Sequence, residues 1–136
     1  MASGNGSNFE ALVSAIRNRR INAEIALLVV NNPGCGAQQR AERLGIPWLL
    51  LNHRDYDTRV DLDRDLVDRF RAADVEGIVM AGWMRIVTPV LIQAFPGRLL
   101  NVHPSLLPSF RGLDAVGQAL DSGVTISGCT VHLVTE

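Results

Sequence analysis

Two polar residues, Asn101 and His103, end an apolar run in the stretch GRLLNVHPSLLPSF (97–110). In an extended strand, side chains two positions apart point to the same face, so this amide and this imidazole would share one space. An imidazole can transfer a proton near neutral pH, and an amide N–H can bind a developing oxyanion. The pair therefore suits attack on a carbonyl group. A strand end with a hydrogen-bonded histidine is the structural alternative.

A glycine-rich turn, SGNGSN (3–8), lies near the start of the sequence and precedes a predicted helix. Its two glycines would let a ligand approach the main chain, and the free N–H groups of the helix attract an anion. We expect Ser7 or Asn8 to cap this helix with its side chain. The third glycine position of the dinucleotide-binding fingerprint holds Phe9, so a single phosphate fits better than a pyrophosphate. An ordinary turn with a helix cap is the alternative.

The third candidate is the loop AGWMRIVTP (81–89), which follows another apolar run. Its backbone amides would bind a flat heterocycle, and four apolar side chains would line the slot: Trp83, Met84, Ile86 and Val87. Ordinary core packing, with Arg85 exposed, is the alternative. In open α/β sheets, ligands bind in the crevice outside the carboxyl ends of the strands, where all three candidates would meet.

The charged residues exclude several classes of protein. The 136 residues carry a net charge of −1, and all 13 basic residues are arginines. Without a lysine, neither a Walker phosphate-binding loop nor a Schiff base can be built. A chain of this charge has no electrostatic footprint for nucleic acid, so we expect no nucleic-acid partner.

The apolar runs, cysteines and remaining polar groups indicate a cytoplasmic protein without a metal. The runs IALLVV and IPWLLL are too short to cross a bilayer, and no signal peptide is evident. Cys35 and Cys129 lie far apart, without the spacing of metal ligands, which favours a reduced compartment. We expect His53 and His132 to be structural. Four aspartates that alternate with arginines are expected to form a solvated helix face: Asp61, Asp63, Asp65 and Asp68.

Apolar runs alternate with segments of helical periodicity, which predicts an α/β fold. Strands are expected at residues 24–30, 47–51, 77–82 and 98–103, and helices at 37–45, 57–72 and 113–123. The strands are continuously apolar, which is typical of strands covered on both faces in a parallel sheet. Gly45 is expected to end its helix, and the alternating segment 125–136 is expected to run antiparallel. The prediction is a Rossmann-like, doubly wound, mostly parallel sheet.

The two ends of the sequence lead us to expect a fragment. A glycine-rich turn of this kind normally follows a strand, yet only Met1–Ser3 precede it. The last residue, Glu136, falls inside an apolar strand. We therefore expect residues 1–136 to be a single domain whose first strand is largely missing and whose C-terminal part is absent.

These motifs resemble those of the phosphoribosylglycinamide formyltransferases. SGNGSN, AGWMRIVTP, GRLLNVHPSLLPSF, FRGLDAVGQAL and GCTVHLV occur in that family's order and at its intervals, over essentially the whole chain. The resemblance implies the formyltransferase fold and a transferase of de novo purine biosynthesis and one-carbon metabolism. The implied reaction moves a formyl group from 10-formyltetrahydrofolate, the co-substrate, to the amine of 5-phosphoribosylglycinamide. It implies a monomer or weak homodimer that acts on small molecules, away from membranes.

The resemblance also implies residue roles. The substrate phosphate would be bound by Gly6, Ser7 and Asn8. The folate would be bound by Arg59, Met84, Arg85, Ile86, Val87 and Asn101. Asn101 would bind the formyl oxygen, and His103 would be the general acid. The family's catalytic aspartate is expected beyond Glu136, so this chain alone is expected to turn over poorly.

Two alternative functions remain open. Formyltetrahydrofolate deformylase shares the layout of the folate site but transfers the formyl group to water, which needs no phosphate anchor. A non-catalytic module that binds phosphate or folate would use the same turn and loop without the proton-transfer pair.

Overall fold

Strands and helices alternate along residues 1–135, which are the residues that the computed structural model describes. The strands are β1 (Leu28–Val30), β2 (Trp48–Leu50), β3 (Ile78–Met80), β4 (Leu99–His103) and β5 (Thr130–Leu133). The α-helices are α1 (Ser7–Arg17), α2 (Gly36–Leu44), α3 (Arg59–Ala72), α4 (Pro89–Ala94) and α5 (Ala115–Asp121). A short 3₁₀ turn spans His53–Asp55. The predicted α/β architecture is confirmed.

The strands form two ladders. In one, β1 pairs in parallel with β2; in the other, β4 pairs in parallel with β3 and antiparallel with β5. The register places Asn101 beside Met80 on one side and beside His132 on the other. The antiparallel direction expected for the last segment is therefore confirmed.

The segment Met1–Ser3 joins the two ladders into one sheet. Ala2 forms a parallel bridge with Val30, and its N–H donates to the Val29 carbonyl at 3.0 Å. On the other side, the Ala81 N–H donates to the Met1 carbonyl at 2.9 Å. The spatial order is therefore β2, β1, Met1–Ser3, β3, β4 and β5.

The expected extent of the first predicted strand is wrong, because β1 begins only at Leu28. Residues 25–27 are as apolar as a buried strand, but a ladder needs a partner beside it, and β2 begins only at Trp48. The helix boundaries were predicted better. Gly45 ends α2 in the left-handed conformation, with φ of 67°, as expected of a C-terminal glycine.

The sheet is covered on both faces at β1, which explains the continuously apolar sequence of that strand. At β4 and β5 the expected cover is incomplete, because Leu100, Val131 and Leu133 are exposed. Within β1, Val29 packs on one face in a cluster with Leu66 of α3 and Leu91 of α4. Leu28 and Val30 pack on the other face in a cluster built with α1 and α2. In residues 1–135 the helices are all too short or too polar to cross a bilayer.

Candidate active site

The glycine-rich turn is fixed by close backbone packing against α2. Gly6 has φ of 77°, and a Cβ atom added to it would lie 2.5 Å from the Ala37 Cα. A Cβ on Gly36 would likewise meet the Asn5 carbonyl oxygen at 2.8 Å. The Ala37 N–H donates to the Gly4 carbonyl at 2.9 Å. Sterics therefore require glycine at both positions of the contact, and the positive φ of Gly6 favours glycine there as well.

The expectation that Ser7 or Asn8 caps α1 is wrong. The helix begins at Ser7, its N-cap is Gly6, and the cap has no side-chain hydrogen bond. The first helical hydrogen bond runs from the Glu10 N–H to the Gly6 carbonyl at 3.0 Å. The N–H groups ahead of it have no carbonyl within the helix to bind, and the side chains of Ser7 and Asn8 are exposed beside them. This is the geometry of an anion-binding helix start.

Two arginines of α2 stabilise this turn, and the sequence analysis did not single them out. The Arg40 Nε–H donates to the Asn5 carbonyl at 2.8 Å. Arg40 and Arg43 both form ion pairs with Glu10, in the first turn of α1. The pairing neutralises the one acidic residue of that first turn, which would otherwise repel a phosphate. The i, i+3 spacing of the arginines was visible in the sequence, but the position of Glu10 opposite them was not.

The loop after β3 divides into a buried start and an exposed tip. Trp83 is buried in the core, so its expected place in the wall of a slot is wrong. Met84 and Ile86 are 67% and 75% exposed, and Val87 packs against the core from the side. The Met84 N–H donates to the Ser3 Oγ at 2.9 Å, which joins this loop to the start of the glycine-rich turn.

One aspartate of α3 does not lie on the solvated face expected for it. Asp63 is 2% exposed, since it shares the buried side of the helix with Leu62, Leu66 and Val67. Its Oδ2 accepts the Thr88 N–H at 2.5 Å. Burial raises the pKa of Asp63, while the Thr88 N–H and the charge of Arg59 act in the opposite direction. Arg59, one turn earlier in α3, is exposed.

Asn101, on β4, has a histidine partner that the sequence analysis treated as structural. The Asn101 Nδ2 lies 3.2 Å from the His132 Nε2. The His132 Nδ1 lies 3.0 Å from the Leu133 carbonyl, so it carries the proton and its Nε2 accepts from the amide. His132 therefore orients the amide and leaves a second Nδ2–H for another acceptor. The alternation in β5 places Thr130 and His132 on one face, and this pattern in the sequence could have indicated that His132 faces the same side as a polar partner.

His103 lies at the last position of β4, and Pro104 follows it. Its Nε2 donates to the Phe110 carbonyl at 3.0 Å. Because that bond fixes one proton on Nε2, the Nδ1 is the atom that can gain or release a proton. The following loop is itself tied to β5, since the Thr130 Oγ1 donates to the Ser105 carbonyl at 2.7 Å.

The sheet order brings the three candidate regions to one edge. Met1–Ser3 lead into the glycine-rich turn, β3 leads into the exposed loop, and β4 carries the polar pair. These three elements are neighbours, and strands lie roughly 5 Å apart, so the three regions lie side by side. A large cavity of about 1010 Å³ lies elsewhere, at the opposite edge, lined by residues 21–28 and 73–79. The candidate site is an open crevice.

Comparison of the sequence with known proteins shows which family it matches. A model described as formyl transferase matches residues 1–136. The chain is 43% identical over 135 residues to the phosphoribosylglycinamide formyltransferase of Bacillus subtilis. The alignment covers 99% of this chain and 69% of that protein. It is 40% identical to the human trifunctional purine biosynthetic protein adenosine-3, covering all of itself and 14% of that chain.

Solved structures agree with these sequence matches. The glycinamide ribonucleotide transformylase 1 of Symbiobacterium toebii matches with a TM-score of 0.95 and 40% identity, over 98% of this chain and 63% of that one. The phosphoribosylglycinamide formyltransferase of Bacillus halodurans matches with a TM-score of 0.95 and 36% identity, over 99% and 70%.

The chain belongs to the formyl transferase family. The resemblance seen in the motifs, the Rossmann-like formyltransferase fold and the assignment as a transferase are confirmed. Membership of the formyl transferase family implies a folate co-substrate. The roles assigned to individual residues remain predictions.

Proposed function

We propose that residues 1–136 act as one formyltransferase domain that transfers a formyl group from 10-formyltetrahydrofolate to the amine of 5-phosphoribosylglycinamide. The observation that carries the proposal is that the glycine-rich start of α1, whose first N–H groups are uncapped by side chains, and the polar pair of β4 lie at one edge of the sheet. Family membership supplies the reaction class, and the relatives from Bacillus subtilis and Bacillus halodurans are phosphoribosylglycinamide formyltransferases.

Substrate binding is assigned to the two outer regions. Gly6, Ser7 and Asn8 would bind the phosphate through the first N–H groups of α1, next to a glutamate neutralised by arginines. The loop Met84–Val87 would bind the folate through its backbone and its exposed apolar side chains, with Arg59 beside it. The loop is suited to binding a folate, because its tip is exposed and both of its ends are held by hydrogen bonds.

The chemistry is assigned to the tip of β4. When the amine attacks the formyl carbon, negative charge develops on the formyl oxygen, and the second Nδ2–H of Asn101 would donate to it. Such a donor contributes about 3–4 kcal/mol to the transition state. His103, protonated at Nδ1, would donate its proton to the folate nitrogen N10 as the bond from that nitrogen to the formyl carbon breaks, and the attacking amine would lose a proton to solvent. Proton donation by such a group contributes roughly 10²–10⁴ in rate.

The test is a single-turnover assay with the protein in excess over both substrates, so that slow transfer is detected by mass spectrometry of the acceptor. We expect formylated phosphoribosylglycinamide, no product from the dephosphorylated acceptor, and a loss of roughly 10²–10³ in rate for Asn101→Ala. Formate release at a rate that does not depend on the acceptor would favour a hydrolase. Binding of both ligands without either product, both by this chain and by a longer one that includes the expected aspartate, would favour a non-catalytic module.

A further inference from the structure

The loop 84–88 bears the proposed folate contacts but has no regular secondary structure to fix its conformation. It belongs to no strand or helix, and its tip side chains, Met84 and Ile86, are largely exposed. A segment with few packed side chains is conformationally free unless its ends are fixed. Apart from Val87, which packs against the core, the fixed points of the loop lie at its two ends.

A side-chain oxygen accepts a backbone N–H at each end. The Ser3 Oγ accepts from Met84 at 2.9 Å, and the Asp63 Oδ2 accepts from Thr88 at 2.5 Å. Ser3 is 4% exposed and Asp63 is 2% exposed, so neither bond competes with bulk water. Hydrogen bonds to charged or partly charged acceptors in such surroundings are stronger than exposed ones.

Both acceptors are themselves held by rigid elements. The Ser3 N–H donates to the Gly82 carbonyl at 3.0 Å, and the Ser3 carbonyl accepts from the Asn32 Nδ2 at 2.7 Å. Asp63 projects from the second turn of α3, the longest described helix, whose buried side packs in the core. The loop thus spans two fixed points, one on the central segment of the sheet and one on α3.

We propose that Asp63 and Ser3 are positioning residues, which fix the two ends of the loop 84–88 and thereby set the affinity for the folate co-substrate. The inference rests on the proposed function, since it takes this loop as the folate site. Neither residue touches the folate; each acts through a backbone N–H of the loop. Burying a carboxylate costs folding free energy that an apolar residue at this position would not cost. The hydrogen bond to the loop is the interaction that explains an aspartate here.

The test measures the dissociation constants of tetrahydrofolate and of 5-phosphoribosylglycinamide by calorimetry, below the melting temperature of each variant. For Asp63→Ala we expect roughly tenfold weaker binding of tetrahydrofolate and unchanged binding of the phosphoribosyl substrate. Asp63→Asn keeps an oxygen acceptor for the Thr88 N–H and should bind within about twofold of the parent. Asp68→Ala, at an exposed position of the same helix, is the matched control.

Several outcomes would overturn the positioning role. They are equal binding of tetrahydrofolate by Asp63→Ala and the parent, equal weakening for both ligands, or failure of Asp63→Asn to restore binding. Ser3→Ala tests the other end independently if Asp63→Ala does not fold; unchanged binding of tetrahydrofolate there would also count against it. If the parent protein itself binds no tetrahydrofolate, the proposed folate site is wrong, which is a separate result.

Discussion

The glycine-rich turn and the tip of β4 lie at the same edge of the sheet but are built by different means. The turn is shaped by the absence of side chains, because Gly6 packs its backbone directly against Ala37. The tip is shaped by side-chain hydrogen bonds, from Asn101 to His132 and from His103 to the Phe110 carbonyl. A part that only binds can be fixed by sterics, whereas a part that moves protons needs a defined partner for each polar atom.

The largest effect is expected at the β4 tip. His103→Ala should lower the rate of formyl transfer by roughly 10²–10⁴, because it removes the proposed proton donor. Binding of both substrates should change little. Rates and dissociation constants measured on the same preparation check this, and an unchanged rate would remove His103 from the mechanism.

The next effect is expected at the turn and tests its steric origin. Gly6→Ala forces a Cβ into Ala37 at positive φ, and should destabilise the fold by about 2–4 kcal/mol and weaken binding of the phosphoribosyl substrate. Gly4→Ala is the control, since a Cβ there meets no atom within 4 Å. Urea unfolding of both variants checks the prediction; equal losses would show that close packing is not what fixes the turn.

A smaller effect sharpens the view of the polar tip. His132→Phe removes the acceptor of the Asn101 amide, and should lower the rate of transfer roughly five- to tenfold through misorientation of that amide. His53→Gln changes a histidine that instead contacts Asn31, and should leave the rate unchanged. Single-turnover rates compare the two; equal rates for His132→Phe and the parent would make His132 structural, as the sequence analysis supposed.

The smallest effect concerns the pH dependence of stability. The pKa of Asp63 in the folded chain is raised above its ordinary value of 3.8, so in the window between the two values the folded chain retains a proton that the unfolded chain has lost. Stability therefore falls as the pH rises through that window. Asp63→Asn lacks this contribution. Urea unfolding from about pH 3.5 upward should show the stability of Asp63→Asn rising relative to that of the parent as the pH increases through the window; a constant difference between the two would contradict the raised pKa.

Much of the fold followed from local pattern. Continuous apolar runs predicted covered strands, Gly45 predicted a helix end, and alternation in 125–136 predicted an antiparallel strand. The candidate residues at the strand ends were found in the same way, because side-chain direction in a strand depends only on the residue count. The first strand was predicted too long, because pairing depends on a partner that hydrophobicity alone does not locate.

Three polar contacts that the sequence analysis did not predict share one cause. Asp63 and Asp68 look alike in a run of alternating acids and arginines, but only packing decides which side of α3 is buried. His132 acquires its contact through the register of β5 against β4, and Arg40 through the docking of α2 on the turn. Each of these contacts joins residues that are 25 or more positions apart.

The sequence by itself determined which residue types stand at the ends of the strands, and hence that an amide, an imidazole and a glycine-rich helix start belong to this protein. Those features follow from backbone periodicity and from the conformational range of glycine, which are local properties. Only the tertiary structure decided which polar groups are paired, which are buried and which remain available. Pairing and burial depend on atoms that the chain brings together from distant positions, and no local pattern records them.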